Sequence, residues 1–324
     1  MSPKPLLVCS VICLATLIFG ILPAAQTPNA IPESASRHSI ENPPARSTLE
    51  ALPVVTPYHP RPVLLGRGSD YRPPDFAQDR DIVEKKQAFY AYLIPKIDQA
   101  NREITRERQW LLNFKNRIEH SRRLQSKKPQ KPDSTAGATH EASQRVDASF
   151  DTEELTALAR LGKRYNLAVD TRNFDGLDAQ IQQLLLRVGV VPASLVLAQA
   201  AKESGWGSSR FAREGNNFFG IWCFYPGCGM TPERRDAGRR HEVAMFDTVE
   251  ESVRYYLRTI NSHAAYVQLR QIRAAARNNN QPFGGEQLAP GLLLYSERGL
   301  MYVNEIQSMI RTNRLQRFTR QYSI

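Results

Sequence analysis

Between Leu197 and Trp222 the chain reads LAQAAKESGWGSSRFAREGNNFFGIW, and one carboxylate, Glu203, stands where a helix should end. A carboxyl that is to serve as a general acid must hold its proton near working pH, so it works best with a raised pKa. Leu195, Val196, Gln199 and Ala200 recur at helical spacing behind Pro192, whose missing N–H is tolerated at a first helical position. Glu203 lies three residues beyond Ala200 and four beyond Gln199, on that same face. Gly205 is the expected stop, because glycine enters the left-handed conformation freely. A carboxyl on the last turn of a buried helix feels desolvation and the negative end of the helix dipole, and both favour its protonated form. Trp206 beside it is suited to exclude water. Spacing does not report burial, so a solvated glutamate at a frayed helix end is the competing reading.

The run Glu203-Ser204-Gly205-Trp206-Gly207, with Ser209-Arg210 and Asn216-Asn217-Phe218-Phe219-Gly220-Ile221 after it, resembles the signature of the bacterial glucosaminidases of glycoside hydrolase family 73. The stretch Trp222-Cys223-Phe224-Tyr225-Pro226-Gly227-Cys228-Gly229 is similar to an insertion in one branch of that family, and the likeness extends from about Leu155 to the C-terminus. It implies a lysozyme-like domain, with a helical lobe and a small β-lobe bordering a cleft. It also implies cleavage of β-1,4 N-acetylglucosaminyl bonds in peptidoglycan, an endo-β-N-acetylglucosaminidase activity that needs neither a metal nor an organic cofactor.

Glycosidases commonly add a second carboxyl group as base, nucleophile or charge stabiliser. Asp236, Glu242 and Asp247 are the candidates, and the resemblance selects Glu242, since relatives carry a β-lobe carboxylate at about this separation from the acid. Alternation over Glu242 to Phe246 sets Glu242, Ala244 and Phe246 on one strand face, a candidate for the cleft face. A surface glutamate paired with Arg234, Arg235, Arg239 or Arg240 is the plainer alternative. A third route uses the substrate's own 2-acetamido group in place of a protein nucleophile.

Flat aromatic faces suit the apolar side of a pyranose, and Trp206, Phe219, Trp222 and Tyr225 cluster near the proposed acid. By resemblance the segment containing Asn217 and Phe219 borders the cleft, and Tyr266, in the pattern Ala264-Ala265-Tyr266, lies near the acid as an orienting group. The expected catalytic set is therefore Glu203, Glu242 and Tyr266, with Trp206, Asn217, Phe219, Trp222 and Tyr225 contacting sugar. Phe218 and Ile221 read as core. Asn216 and Asn217 also fit a turn.

Cys223 and Cys228 flank a Pro-Gly turn, and a local disulfide is the preferred reading in an oxidising compartment. A metal site is the weaker alternative, because no second pair of ligands stands at zinc spacing and His241 alone adds little. Two free thiols are the bland one. Residues 6–22 form an apolar run behind Lys4, followed by Pro23-Ala24-Ala25, which reads as a signal peptide or an inner-membrane anchor. Either places the remainder in the periplasm or cell envelope. The formal charge of +11 on 324 residues suggests an anionic partner. Nucleic acid is the usual first guess for such a balance, but the basic residues are scattered and form no recognisable zinc-finger, helix-turn-helix or basic-aromatic module, so it is not the expected partner. The anionic wall fits instead.

These signals divide the chain into a leader (1–25), a Pro-rich tether (26–75), a helical segment (76–125), a polar linker (126–150) and a mainly helical α+β domain (151–324). In the helical segment Tyr90, Ile97, Ile104, Leu111 and Ile118 repeat every seven residues. That single stripe, thinner than a coiled coil needs, favours a helix docked on the following domain over self-association, broken or kinked near Pro95. Three rivals to the hydrolase remain: a lytic transglycosylase or muramidase built on a lone Glu in E-S-G, a non-catalytic glycan-binding envelope protein, and an anchored scaffold.

Overall fold

The computed structural model describes residues 73–76, 81–126, 150–232 and 241–319. The leader, most of the tether and of the polar linker, and the segment holding Asp236 and the four arginines proposed as partners of Glu242 lie outside these residues. Among the described residues no helix is long and apolar enough to cross a membrane.

The architecture is mainly helical with one small antiparallel sheet, as the sequence predicts. Helix α1 (Ile82–Ser126) runs through Pro95 without a break. Pro95 points outward while Leu93 and Ile97 on either side of it are buried, so packing holds the helix together where one backbone bond is lost. The seven-residue stripe is buried, and Phe89, Leu93, Ala100 and Phe114 widen it to a full face. This face docks against later helices of the same chain.

Helices α2 (Thr152–Arg164) and α3 (Phe174–Arg187) begin where Asp151 and Asn173 accept backbone N–H bonds from Glu154 and Gly176. Helix α4 (Ala193–Ser204) is the centre of the molecule. Every residue from Ala193 to Ala201 is buried, consistent with its apolar composition on all sides. Around it pack α1, the short α8 (Gly285–Leu288), α9 (Leu300–Thr312) and the final turn Leu315–Phe318. Between α4 and α8 come α5 (Arg210–Gly215), α6 (Val249–Ser262), capped by Thr248, and α7 (Val267–Asn278), preceded by a 3-10 turn at Ala264–Tyr266. Arg273 of α7 is fully buried and donates to the carbonyls of Leu186, Arg187, Gly189 and Val190 and to Asn261 Oδ1, so it seals the C-terminal end of α3.

The sheet has the order β1 (Trp222–Cys223), β3 (Glu242–Ala244), β2 (Gly229–Met230), all antiparallel. Only the β3 strand is legible from alternation, because its partners are two residues long. Cys223 pairs with Glu242 and Met230 with Val243. At Gly229 a β-carbon would lie 2.0 Å from the Val243 carbonyl oxygen, so only glycine lets the strands approach.

Candidate active site

Glu203 occupies the last turn of α4, and Gly205 ends that helix in the left-handed conformation (φ 57°, ψ 47°), as the sequence predicts. The turn is unusual in continuing left-handed through Trp206 (φ 59°) and Gly207 (φ 79°). A tryptophan pays steric strain there, and its surroundings hold it in place. The Trp206 indole packs edge-on to Phe89 and Tyr90 of α1, with the Lys86 ammonium 4.9 Å from the ring centre. Phe76 lies so close to Gly207 that a β-carbon would meet its ring at 2.4 Å. Trp206 is therefore a clasp between α1 and the turn behind Glu203, and its ring is only partly buried.

The Glu203 carboxyl is fixed at one oxygen. Oε1 accepts a hydrogen bond of 2.9 Å from the Tyr302 hydroxyl. Burial raises its pKa above the ordinary carboxylate range, and the Tyr302 bond and the charge of Lys202 oppose that only in part. Gly220 lies on the other side, where a β-carbon would come 3.5 Å from Oε2. Gly220 is exposed and left-handed (φ 62°), so the second oxygen borders a residue with no side chain.

Tyrosines pack around the buried side of Glu203. Tyr302 stacks on Tyr295 with ring centres 5.3 Å apart, and Tyr295 donates to the Phe219 carbonyl at 2.9 Å. The Phe219 ring stacks on Tyr256 at 4.2 Å. Tyr266 sits 6.0 Å from Tyr295, and burial together with the charge of Glu203 holds its hydroxyl protonated to higher pH than usual. Tyr266 is thus within electrostatic reach of Glu203. Tyr302 and Tyr295 belong to the same surroundings and were not singled out by the sequence. Tyr302 stands near the start of a helix and Tyr295 in the turn before it, and neither position marks a site in the sequence.

Two further expected contacts lie in the scaffold. Asn217 is 1 % exposed, and its amide is spent on the carbonyls of Ile221 and Ala244 and the N–H groups of Phe219 and Ile221. Phe219 is likewise 1 % exposed beneath Tyr256. With Asn216, whose side chain donates to the Phe246 and Asp247 carbonyls, these residues tie the loop after α5 to the sheet. The turn reading of the two asparagines is the one the geometry supports.

Cys223 and Cys228 form the expected disulfide, with Cα atoms 6.1 Å apart. Both thiols are consumed by it, so the one group of potential metal ligands among the described residues, these two with Glu242, does not fit an ion. Glu242 does not lie on an open cleft face. Its face partners Ala244 and Phe246 pack with the disulfide into a separate small core. Its oxygens accept from the N–H groups of Gly227 at 3.2 Å and Gly229 at 2.8 Å, so the carboxylate latches the disulfide loop. Tyr225 is partly buried against this core, while Trp222 and Phe224 on the same loop stay 50 % and 64 % exposed. One face of Trp222 is covered by His241, stacked at 4.2 Å and 12°.

The Glucosaminidase family, described as mannosyl-glycoprotein endo-beta-N-acetylglucosaminidase, matches residues 178–315. Protein Bax of Escherichia coli (strain K12) is 29 % identical over 242 residues, 74 % of each chain. The catalytic domain of the autolysin Auto from Listeria monocytogenes aligns in structure at 18 % identity over 57 % of this chain and 99 % of that one, with a TM-score of 0.31. The helix end that carries Glu203 and the loop behind it lie inside the matched residues, so residues 178–315 form a domain that matches the glucosaminidase family, and the chain is a distant homologue of protein Bax.

Proposed function

We propose that this protein is a glycoside hydrolase of the bacterial envelope that cleaves N-acetylglucosaminyl bonds in peptidoglycan, with Glu203 as the general acid. The observation that carries this reading is a carboxyl group desolvated at the end of the central helix, with one oxygen anchored by Tyr302 and the other beside an exposed glycine. Such a group holds its proton to higher pH than a solvated glutamate and releases it to a developing alkoxide. Tyr266 borders the reacting sugar, and the exposed faces of Trp222 and Phe224, with Tyr225 behind them, extend the sugar-binding rim. The route through the substrate's own 2-acetamido group fits best for the opposing charge, because both Glu242 oxygens are engaged by backbone N–H groups. The disulfide favours an oxidising compartment, and residues 6–22 supply export as signal peptide or anchor. The net charge of +11 draws the protein to the anionic wall, an attraction that salt weakens.

The test is mass spectrometry of peptidoglycan digested by the whole chain, beside its Glu203→Gln and Glu242→Gln variants. Reducing N-acetylglucosamine ends are expected, with a loss of about 100-fold or more in Glu203→Gln and most activity kept in Glu242→Gln. Anhydro-muramic ends would move the protein to the lytic transglycosylases. Binding without cleavage, indifferent to Glu203→Gln, would make it a glycan-binding protein.

A further inference from the structure

Behind Glu203 lies a directed chain of hydrogen bonds among buried side chains. The Tyr256 hydroxyl donates to Gln199 Oε1, Gln199 Nε2 donates to the Tyr302 hydroxyl at 3.0 Å, and Tyr302 donates to Glu203 Oε1 at 2.9 Å. Gln199 is 0 % exposed and Tyr256 and Tyr302 are each 2 % exposed, so water does not compete for these bonds. Gln199 stands four residues before Glu203, one helical turn back on the same face of α4.

Direction matters because a phenol has one proton. With Tyr256 donating to its oxygen, the Gln199 amide is oriented with Nε2 toward Tyr302. Tyr302 therefore receives at its oxygen and has its single proton for Glu203. Oε1 is then an acceptor, and a proton on the carboxyl must reside on Oε2. Were the amide turned over, Gln199 Oε1 would claim the Tyr302 proton. The neutral carboxyl would then donate from Oε1 into the interior, where no substrate stands.

We propose that Gln199 is a positioning residue which, acting through Tyr302, places the acidic proton of Glu203 on Oε2, the oxygen beside Gly220. The proposal rests on Glu203 being the acid and names the oxygen it uses. In the step itself the Oε2–H bond breaks and its proton passes to the glycosidic oxygen. That oxygen also takes the electron pair of the breaking anomeric C–O bond, and the carboxylate left behind is held at Oε1 by Tyr302. A hydrogen bond to a carboxylate is stronger than one to a neutral carboxyl, so the same contact stabilises the product state of the transfer. The second circuit, Tyr302 on Tyr295, Tyr295 to the Phe219 carbonyl and Phe219 on Tyr256, ties both ends of the relay to the loop that carries Gly220.

The experiment uses the whole chain with Gln199→Met, Tyr302→Phe, Tyr256→Phe, the double variant Gln199→Met/Tyr302→Phe, and Glu203→Gln. Turnover is read against pH on soluble glycan fragments of peptidoglycan, and the Glu203 titration is read separately by carbon-13 NMR. Gln199→Met and Tyr302→Phe are each expected to lower kcat about tenfold with KM little changed, the scale of one hydrogen bond to a charged group. Both remove support for the ionised carboxylate, so both should move the Glu203 titration and the falling alkaline limb of kcat to higher pH. Tyr256→Phe, which only frees the amide to turn, should do the same to a smaller degree. The double variant should match Tyr302→Phe alone, because Gln199 acts through that hydroxyl. A purely structural role for Gln199 would lower Tm and leave the titration in place. An unmoved Glu203 titration in Gln199→Met, or losses that multiply in the double variant, would overturn the proposal. Full activity in Glu203→Gln would instead overturn the assignment of the acid.

Discussion

Glu203 carries its raised pKa only in the folded chain, where burial removes the water that would solvate its charge. A carboxyl raised in this way contributes stability that is complete below its ordinary, unfolded pKa and is lost as pH rises through the folded one. Glu203→Gln keeps the shape and abolishes the charge. The Tm of this variant and of the parent should agree in acid. The variant should then gain on the parent as pH climbs through the Glu203 titration, as expected of a site whose chemistry costs stability. Calorimetry at a series of pH values checks this, and a difference independent of pH would refute it. The location of Glu203 at a helix end is readable from Gly205 and the spacing to Gln199 and Ala200. Its partner Tyr302 is not, being 99 residues distant.

At the scale of elements, the disulfide loop is the part least able to stand alone. Strands of two and three residues bury too little to persist without help. The Cys223–Cys228 bond and the Glu242 latch supply that help. Closing so short a loop is worth roughly 2 kcal/mol on chain-entropy grounds. In Cys223→Ala/Cys228→Ala, amide exchange at Gly227 and Gly229 should therefore accelerate by about an order of magnitude or more, while that of α4 stays unchanged. Exchange that is unaltered at those two amides would mean that Glu242 alone holds the loop. The disulfide could be read from two cysteines around a Pro-Gly turn. The latch could not, because its partners are backbone N–H groups that leave no mark on a side-chain pattern.

Across the whole molecule, α1 does more than cover a face of the glucosaminidase domain. It lies outside the residues matched to the family, yet its Phe89 and Tyr90 pack on Trp206 in the strained turn three residues beyond Glu203. Phe89→Ala should cost about 3–5 kcal/mol for the lost burial and the cavity left behind. It should also shift Trp206 emission to the red and lower turnover per folded molecule. The emission is read with Trp110 and Trp222 replaced by Phe. Trp206 emission and turnover that stay at the parent values would separate α1 from the site.

The sequence by itself determined the local features: the stop at Gly205, the buried stripe of α1, the paired cysteines and the place of Glu203 at its helix end. These rest on periodicity and on residues a few positions apart, where spacing along the chain is also distance in space. Only the tertiary structure decided which aromatics face solvent, and it placed Trp206 and Phe219 in the packing while leaving Trp222 and Phe224 open. It alone gave Glu242 to the disulfide loop and brought Tyr256, Gln199, Tyr302 and Glu203 into one line. The reason is physical: the direction of a hydrogen-bond chain depends on which distant helices pack together and on how each shared proton is allotted, and neither is encoded in any single stretch of the chain.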